Sequence, residues 1–193
     1  DLPQLEVRML REILNFLRPS DQRQVWLVGG SIRDLLRGAT SVPDLDLATS
    51  FNPIGVAREF ARATGAGFVV LDEERHVVRL VSAVENGHYT FDISEFRAPT
   101  IDDDLRARDF TINSIAAPLF GSGADVLARG QIELYDPLGG IEHLAEGRIE
   151  PSSDQLFTDD PLRLMRAFRF SALFNAEFST RLHAMVEKQA SLL

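Results

Sequence analysis

The chain contains 193 residues, 45% of them hydrophobic and 25% charged, which is typical of a folded globular protein and excludes a chain that is disordered throughout. It has no cysteine and no apolar run near the ~20 residues of a membrane span, so any metal must have oxygen or imidazole ligands, and we expect a cytoplasmic protein without membrane contact. Asp and Glu (29) outnumber Lys and Arg (20), and the net charge of −9 has the wrong sign for an autonomous nucleic-acid-binding domain.

Hydrophobic periodicity and turn residues predict alternating helices and strands in the first half of the chain. Gly29-Gly30 lies at a strand-to-helix turn, and polar turns are predicted at residues 72–74 and 85–87. The predicted elements are a helix at 5–17, a strand at 25–28, a helix at 31–37, a strand at 44–49, a helix at 53–63, and strands at 68–71, 77–81 and 89–93.

The second half of the chain changes to a mainly helical pattern. Residues 151–153 (Pro-Ser-Ser) are typical of a linker, and we place a domain boundary there, between residues 1–150 and 151–193. The chain begins without Met and ends soon after a helical stretch, which is typical of a fragment. The predicted elements are a helix at 109–116, a small strand at 132–135, a short helix after Gly139-Gly140, and two helices at 160–174 and 180–193, separated at Asn175. This order predicts an α+β fold with a small mixed or antiparallel sheet flanked by helices, followed by an all-α domain.

An acid pair lies on the predicted strand at residues 44–49. In Asp44-Leu45-Asp46-Leu47, the period of two in a strand puts both carboxylates on one face and both leucines on the other. Hard oxygen ligands at this spacing suit Mg²⁺ or Mn²⁺, and paired ions of this kind promote phosphoryl transfer. Such pairs also occur on ordinary solvated strand faces, so the pattern alone is weak.

The glycine turn before the acid pair strengthens the metal hypothesis. Gly29, Gly30 and Ser31 could offer backbone N–H groups to a triphosphate, and Arg33 could bind the same phosphates. The alternative is a tight turn that needs glycine only for its dihedral angles. The order strand, Gly-Gly-Ser, helix and Asp-x-Asp resembles the signature of the polymerase-β-like nucleotidyltransferase superfamily.

That resemblance implies a third carboxylate on a neighbouring strand. In the predicted strand at residues 89–93, Asp92 faces away from Tyr89, Phe91 and Ile93. Asp92 is therefore the candidate to complete the metal site or to help deprotonate an RNA 3′-hydroxyl. The alternative is a solvent-facing acid on an ordinary amphipathic strand.

Three ordered motifs carry a more specific resemblance. Residues 27–34 (LVGGSIRD) resemble the G-G-x-V-R-D element of class II, bacterial-type tRNA nucleotidyltransferases and their poly(A) polymerase relatives. Residues 108–113 (RDFTIN) resemble their R-R-D-F-T-I-N segment, and residues 159–170 (DDPLRLMRAFRF) resemble their E-D-x-x-R motif. The chain is thus similar to the head and the start of the neck of these enzymes.

The resemblance implies template-independent addition of C and/or A to the tRNA 3′ end by two-metal phosphoryl transfer. Asp160 and Arg163 would read the base edge, for which one accepts and the other donates hydrogen bonds. A purely solvated helix face is the alternative for these charges. The implied partners are CTP and/or ATP and the tRNA 3′ end, with RNA held mainly by C-terminal domains absent from this chain. The implied metals are two Mg²⁺ ions on Asp44 and Asp46, with Mn²⁺ as the alternative. The implied nucleotide-binding residues are Gly29, Gly30, Ser31, Arg33, Arg108, Asp109, Asn113, Asp160, Arg163, Arg166 and Arg169.

Departures from the family pattern bear on the subtype. Asp159 and Ala107 replace a glutamate and an arginine of the motifs. Enzymes that add a complete CCA carry a flexible loop after the position of Arg97, whereas only residues 98–103 precede Asp104-Leu105 here. This short connection favours a CC-adding enzyme, and the alternative is that a mobile loop is left out of the sequence. Full CCA addition, A addition, poly(A) synthesis and a catalytically inactive nucleotide-binding module also remain open.

Overall fold

The computed structural model describes residues 1–85 and 87–190. Asn86 in the predicted turn at 85–87 and the end of the predicted last helix at 191–193 lie outside the described residues. No helix within the described part is long and apolar enough to cross a membrane.

The elements of the first half agree with the predicted helices and strands, several of which are longer than predicted. They are α1 (Gln4–Leu17), β1 (Val25–Val28), α2 (Gly30–Leu36), β2 (Asp44–Thr49), α3 (Ile54–Thr64), β3 (Gly67–Asp72), β4 (Val77–Val84) and β5 (Gly87–Glu95). The second half contains α4 (Ile101–Arg106), a 3₁₀ turn (Thr111–Asn113), β6 (Ala116–Pro118), α5 (Ser122–Ala128), α6 (Gly140–Ala145), β7 (Arg148–Ile149), α7 (Leu156–Asp159), α8 (Arg163–Phe174), β8 (Glu177–Phe178) and α9 (Thr180–Ala190).

Six strands form one sheet in the order β3-β4-β5-β2-β1-β6. Only the central pair, β2 and β5, is parallel among these neighbours, and the other four pairs are antiparallel. In this register Asp46 lies opposite Asp92. The predicted α+β class with a small mixed sheet is confirmed, and the acid-bearing strands lie inside the sheet rather than at its edge.

The leucine face of β2 is covered by α1 and α3. Leu10 and Ile13 of the amphipathic α1 are fully buried in the same cluster as Leu45 and Leu47. Phe60 of α3 belongs to that cluster too, because the apolar residues of α3 recur at helical spacing. Burying a side chain of this size contributes about 1.5 to 3 kcal/mol. The opposite face of β2, which carries the acids, is left for the cleft described below.

A second hydrophobic cluster joins residues 108–113 to the C-terminal helices. Phe110 and Ile112 pack with Phe157 of α7 and Phe170 of α8, and the Phe110 and Phe170 rings meet edge to face at 5.8 Å. The strands β7 and β8 pair in parallel beside it, so a short strand interrupts the region predicted to be all-helical. The predicted break at Asn175 is confirmed by its left-handed conformation after α8.

Residues 151–153, predicted to be a linker, form no helix or strand but are packed against the sheet-containing part of the chain. Pro151 bridges to Phe110, and the Ser152 N–H donates to the Asp109 carbonyl at 3.1 Å. The buried Ser152 hydroxyl also lies 3.1 Å from that of Ser114. A Pro-Ser-Ser composition is typical of a loop, but here its polar groups bond to the sheet-containing part of the chain.

The helix predicted at residues 109–116 is wrong. Phe110 is extended (φ −124°, ψ 151°), and its N–H donates to the Asp109 carboxylate, so only one 3₁₀ turn follows before β6. The missed helix α4 precedes this segment, with Thr100 as its N-cap accepting from the Asp103 N–H.

Three further differences are local. The strand predicted at residues 132–135 is a single bridge from Tyr135 to Ala116, and α5 was not predicted. The helix predicted from residue 160 begins at Arg163, because Asp160 is extended and its carboxylate accepts the Leu162 N–H.

Candidate active site

A cleft of about 1230 Å³ lies between the acid face of the sheet and a wall formed by residues 107–113, α7 and α8. Three predicted site residues are not among those that line it. Ser31 is buried and its hydroxyl donates to the Val28 carbonyl at 3.4 Å, while Asp44 and Arg169 are exposed. The predicted site residues that do line the cleft are Gly29, Gly30, Arg33, Asp46, Asp92, Arg108, Asp109, Asn113, Asp160, Arg163 and Arg166.

The carboxylates of β2 and β5 share one face of the sheet. Asp44 and Asp46 are two residues apart, and Asp92 lies opposite Asp46. Burial is the main cause that raises the pKa of Asp46, and the negative charges of Asp92 and Asp44 raise it further. The positive charge of Arg108 and a hydrogen bond from the Gly30 N–H oppose this rise. The ionised form of Asp46 therefore lacks full compensation within the chain.

Asp92 already has a cationic partner, which the sequence did not reveal. Its two carboxylate oxygens accept from Arg79 Nε at 2.7 Å and Nη2 at 2.6 Å, across the β4–β5 pair. Arg79 would have been found only if the register between these strands had been known, because cross-strand pairs form between directly opposite residues.

The acid face fits a metal whose coordination is completed by substrate. In the described part of the chain, no three acidic or histidine side chains come close enough to hold an ion by themselves. Mg²⁺ is usually bound through one or two carboxylates together with water and substrate phosphates. Asp44 and Asp46 offer two carboxylates on one face of β2, and the repulsion that raises the pKa of Asp46 would be relieved by a cation there.

The glycine turn brings the backbone against Asp46. Gly29 has a φ of 76°, and a Cβ at this position would lie 3.2 Å from Asp46 Oδ2 and 3.5 Å from Arg108 Nη1. The Gly29 N–H donates to the Ile115 carbonyl at 3.2 Å, and the Gly30 N–H donates to Asp46. Two of the three N–H groups that we expected to face a phosphate, those of Gly29 and Gly30, are thus used within the protein. Glycine is needed here for the close approach of carboxylate and guanidinium.

Arg33 is held in the cleft wall by polar and aromatic groups. Its Nε and Nη2 donate to both oxygens of Asp34 at 2.9 and 3.0 Å, and Nη1 donates to Asn113 Oδ1. The guanidinium also lies 4.9 Å from the Phe174 ring centre and 5.4 Å from that of Phe170. The α2 arginine is therefore fixed by residues of α8.

Asp109 connects the 108–113 segment to α8. One oxygen accepts from the Phe110 N–H at 2.8 Å and from Asn113 Nδ2 at 3.0 Å. The other oxygen accepts from Arg166 Nε at 2.8 Å and Nη2 at 2.6 Å. With only 6% of Asp109 exposed, this network fixes the wall before any ligand binds.

Asp104 likewise fixes an arginine of the cleft wall, in this case Arg108. It is fully buried, and one oxygen accepts from Arg108 Nε at 3.1 Å and Nη2 at 2.9 Å. The second oxygen accepts from the Arg97 N–H at 2.9 Å. We did not predict a role for Asp104 or Arg97, and the signal that could have revealed them is a carboxylate four residues before an arginine within one helical turn.

Asp160 and Arg163 lie at the start of α8. Their nearest side-chain atoms are 3.9 Å apart. Arg163 Nη2 donates to the Ala107 carbonyl at 2.9 Å, whereas Arg163 Nη1 is buried without a partner among the described residues. This guanidinium is held in place with one donor to spare.

Comparisons with known proteins agree with this site. The family model for the Poly A polymerase head domain matches residues 25–150. The CC-adding tRNA nucleotidyltransferase of Geobacter sulfurreducens is 36% identical over 168 residues, which is 87% of this chain and 36% of that protein. The A-adding tRNA nucleotidyltransferase of Deinococcus radiodurans is 40% identical over 144 residues, which is 75% of this chain and 29% of that protein.

A solved structure shows the same architecture over nearly the whole chain. The Thermotoga maritima CCA-adding enzyme complexed with tRNA superposes with a TM-score of 0.75 at 28% identity, covering 95% of this chain and 41% of that one. This chain thus spans about a third of the length of the curated relatives described above. The family match covers the glycine turn, the acid face and the 108–113 segment, and the chain therefore belongs to the poly(A) polymerase head-domain family, as the sequence motifs indicated.

Proposed function

We propose that this chain is the catalytic part of an RNA nucleotidyltransferase that adds C and/or A to the tRNA 3′ end without a nucleic-acid template. The observation that carries the proposal is the position of Asp46. It shares a sheet face with Asp44 and Asp92, contacts the Gly29-Gly30 turn, and faces a wall of arginines across one cleft. The relatives with tRNA-extending names support the same reaction.

In this proposal the acid face holds the metals. Asp44 and Asp46 would bind Mg²⁺, or Mn²⁺ in its place, and bound metal of this kind activates the attacking oxygen and neutralises the leaving phosphate. Asp92 completes the site or accepts the proton of the RNA 3′-hydroxyl. Its bidentate pairing with Arg79 fixes the position of this carboxylate on the acid face.

The arginine wall would bind and select the nucleotide. Arg108 lies beside Asp46 and can contact the phosphates next to the metals. Asp160 and Arg163 would read the base edge, because one accepts and the other donates hydrogen bonds. The spare Nη1 donor of Arg163 supports this role, since a buried donor without a partner is costly until a ligand accepts from it. The other proposed nucleotide-binding residues are Arg33, Asp109, Asn113 and Arg166, which line the cleft, with Gly29 and Gly30 allowing the close approach of the backbone to Asp46. Ser31 and Arg169 do not line the cleft and are not part of the proposal.

The connection after β5 favours the CC-adding subtype. Five residues, 96–100, join β5 to α4, and Thr100 caps the helix directly. A connection this short and capped leaves no room for a mobile loop. Such a loop would be needed to change the shape of the cleft so that it accepts ATP after CTP. Identity does not separate the subtypes, because a CC-adding relative is 36% identical and an A-adding relative 40%, so A addition is the second candidate.

We also propose that residues 1–150 are the catalytic head and residues 151–193 the start of a helical neck. The net charge of −9 leaves little attraction for a polyanion, so most of the RNA grip would come from parts of a longer protein. The relatives are longer than this chain, which supports the proposal that further parts of a longer protein bind the RNA.

The test is extension of tRNAs ending in the discriminator base, in C and in CC, with labelled CTP or ATP and with Mg²⁺ or EDTA. We expect Mg²⁺-dependent addition of C to the first two tRNAs and none of A. Addition of A to the CC end alone would indicate the A-adding subtype, both additions full CCA synthesis, and long A tails on any RNA a poly(A) polymerase. A chain that binds both CTP and the tRNA end but incorporates neither nucleotide would overturn the proposed enzyme in favour of an inactive nucleotide-binding module.

A further inference from the structure

The arginines that line the cleft differ in whether they have a counter-ion. Five of the six in the described residues lie within 3.9 Å of a carboxylate oxygen. The exception is Arg97, whose guanidinium has no hydrogen bond or ion pair with any described side chain. The six are Arg33, Arg75, Arg97, Arg108, Arg163 and Arg166.

The backbone of Arg97 is nevertheless fixed. Its N–H donates to Asp104, the same buried carboxylate that holds Arg108, and the carbonyl of Ala107 at the end of α4 holds Arg163. Three arginines are thus positioned by one short segment around α4. Of these three, only Arg97 has a guanidinium without a hydrogen-bond or ion-pair partner among the described residues.

The surroundings of Arg97 are unfavourable for its charge. Arg97 remains partly open to solvent, but desolvation in the cleft lowers its pKa most and the positive charge of Arg108 lowers it further. Asp104 opposes this shift, and Arg163 lowers the pKa by less than Asp104 raises it, with a still smaller opposing effect from Asp109. A cation kept beside two other cations is stabilised when an anion binds among them. Phosphate is the anion that planar guanidinium groups bind best, through paired N–H donors.

We infer that Arg97 binds a phosphate group of a substrate in the cleft, beside Arg108 and Arg163. The inference rests on the proposed nucleotidyl transfer, which brings two kinds of phosphate into the cleft: the triphosphate of the nucleotide and the phosphodiesters of the RNA end. The Arg97 guanidinium has no hydrogen-bond or ion-pair partner among the described residues, so its removal leaves no buried group there unsatisfied.

Equilibrium binding without divalent metal tests this directly. The probes are inorganic tripolyphosphate, CTP, cytidine, and a short single-stranded RNA ending in CC. The proteins are the wild-type chain, Arg97→Ala, Arg97→Lys and the control Arg75→Ala, which removes an exposed arginine at the cleft rim. Arg97→Ala should weaken tripolyphosphate and CTP about tenfold or more and leave cytidine unchanged, because charge-assisted hydrogen bonds are lost. Arg97→Lys should lie between, and Arg75→Ala should change binding less than about twofold.

The outcomes separate the two phosphate sources. A loss confined to the RNA probe would place the bound phosphate in the RNA backbone and still support Arg97 as a phosphate ligand. Unchanged binding of all charged probes, or no binding of them by the wild-type chain, would overturn the inference. Thermal melting adds a second readout: Arg97→Ala should melt at or above the wild-type temperature, and a lower melting temperature with unchanged binding would show a purely structural role.

A parallel incorporation assay on the wild-type chain distinguishes this inference from the proposed function. Phosphate binding that depends on Arg97, without nucleotide incorporation at RNA concentrations that saturate the chain, would refute the enzyme and leave the phosphate site. Incorporation by the wild-type chain together with unaltered binding by Arg97→Ala would refute the phosphate site alone.

Discussion

The two walls of the cleft are built on opposite electrostatic principles. On the sheet side, burial raises the pKa of Asp46 and the charges of Asp92 and Asp44 raise it further, with Arg108 as the opposing positive charge. On the helical side, Asp104 and Asp109 each hold an arginine through two nitrogen donors and are themselves buried. The sheet wall keeps carboxylates together at a cost in stability, whereas the helical wall is stabilised by its own ion pairs. Carboxylates that repel one another are stabilised by a bound cation, which suits the sheet wall to metal binding. A network whose donors and acceptors are all paired stays rigid, which suits the helical wall to holding the arginines in place.

The largest expected effect would sharpen this contrast on the sheet wall. Asp46→Asn should lower single-turnover incorporation of labelled CTP by about a thousandfold or more, because metal-based charge stabilisation is lost. The variant should melt in EDTA at or above the wild-type temperature, since a buried and repelled charge has been removed. Glu74→Gln, at an exposed acid lining the same cleft, is the control and should retain activity. Near-normal turnover by Asp46→Asn would refute its role as a metal ligand.

The helical wall should respond in stability rather than in activity alone. Asp104→Ala should lower the free energy of unfolding by about 3 kcal/mol, because Arg108 is left as an uncompensated, nearly buried charge. Denaturant unfolding measures the change, and Asp125→Ala, at an exposed acid on α5, is the control. A loss below about 1 kcal/mol would break the comparison, because the arginine wall would then not depend on this carboxylate.

Base selection should change by a smaller amount. Asp160→Asn keeps an oxygen that can accept the Leu162 N–H, so the turn before α8 is retained while the base-reading group changes. The preference for CTP over UTP is measured as the ratio of the two kcat/KM values. The free-energy difference that corresponds to this ratio should fall by about 1 to 3 kcal/mol. Asp159→Asn changes the neighbouring cleft carboxylate and is the matched control. An unaltered preference in both Asp160→Asn and Arg163→Ala would place base reading elsewhere.

The smallest effect concerns metal addition to the free protein. At about ten times its Kd, Mg²⁺ should stabilise the chain by about 1.4 kcal/mol, which corresponds to a rise in Tm of roughly 3 to 6 °C over EDTA. The rise should disappear in the Asp44→Asn, Asp46→Asn double variant, with KCl at equal ionic strength as the control. An equal rise in the double variant would show that Mg²⁺ binds away from the sheet wall.

The sheet wall was largely predictable because its pattern is local. A period of two is enough to place Asp44 and Asp46 on one face, and the same alternation identifies Asp92. The parallel register that puts Asp92 opposite Asp46 was not predictable in this way, because α3, β3 and β4 lie between the two strands in the chain. Parallel pairing needs a long crossover, and local sequence does not specify its register.

The helical wall was predicted less well because its bonds join distant residues. Asp109 pairs with Arg166, which lies 57 positions away in the chain. Where a helix was predicted at 109–116, the structure has an extended residue followed by one 3₁₀ turn. Apolar spacing alone favoured a helix there, but the Asp109 carboxylate competes for the backbone N–H of Phe110. Phe170 lies among the arginines of α8 and is buried, so part of that charged stretch packs against the rest of the chain.

The attachment of residues 151–153 to the segment before β6 has a consequence for modular exchange. Phe110 and Ile112 belong to the sheet-containing part by sequence, but much of their apolar cover comes from α7 and α8. A chimera joined at residue 150 would divide one hydrophobic core between two parents, and each would bring side chains shaped for a different partner. Gene fusions that exchange the helical part should therefore exchange residues 108–114 together with it. All residues of this hydrophobic core would then come from the same parent.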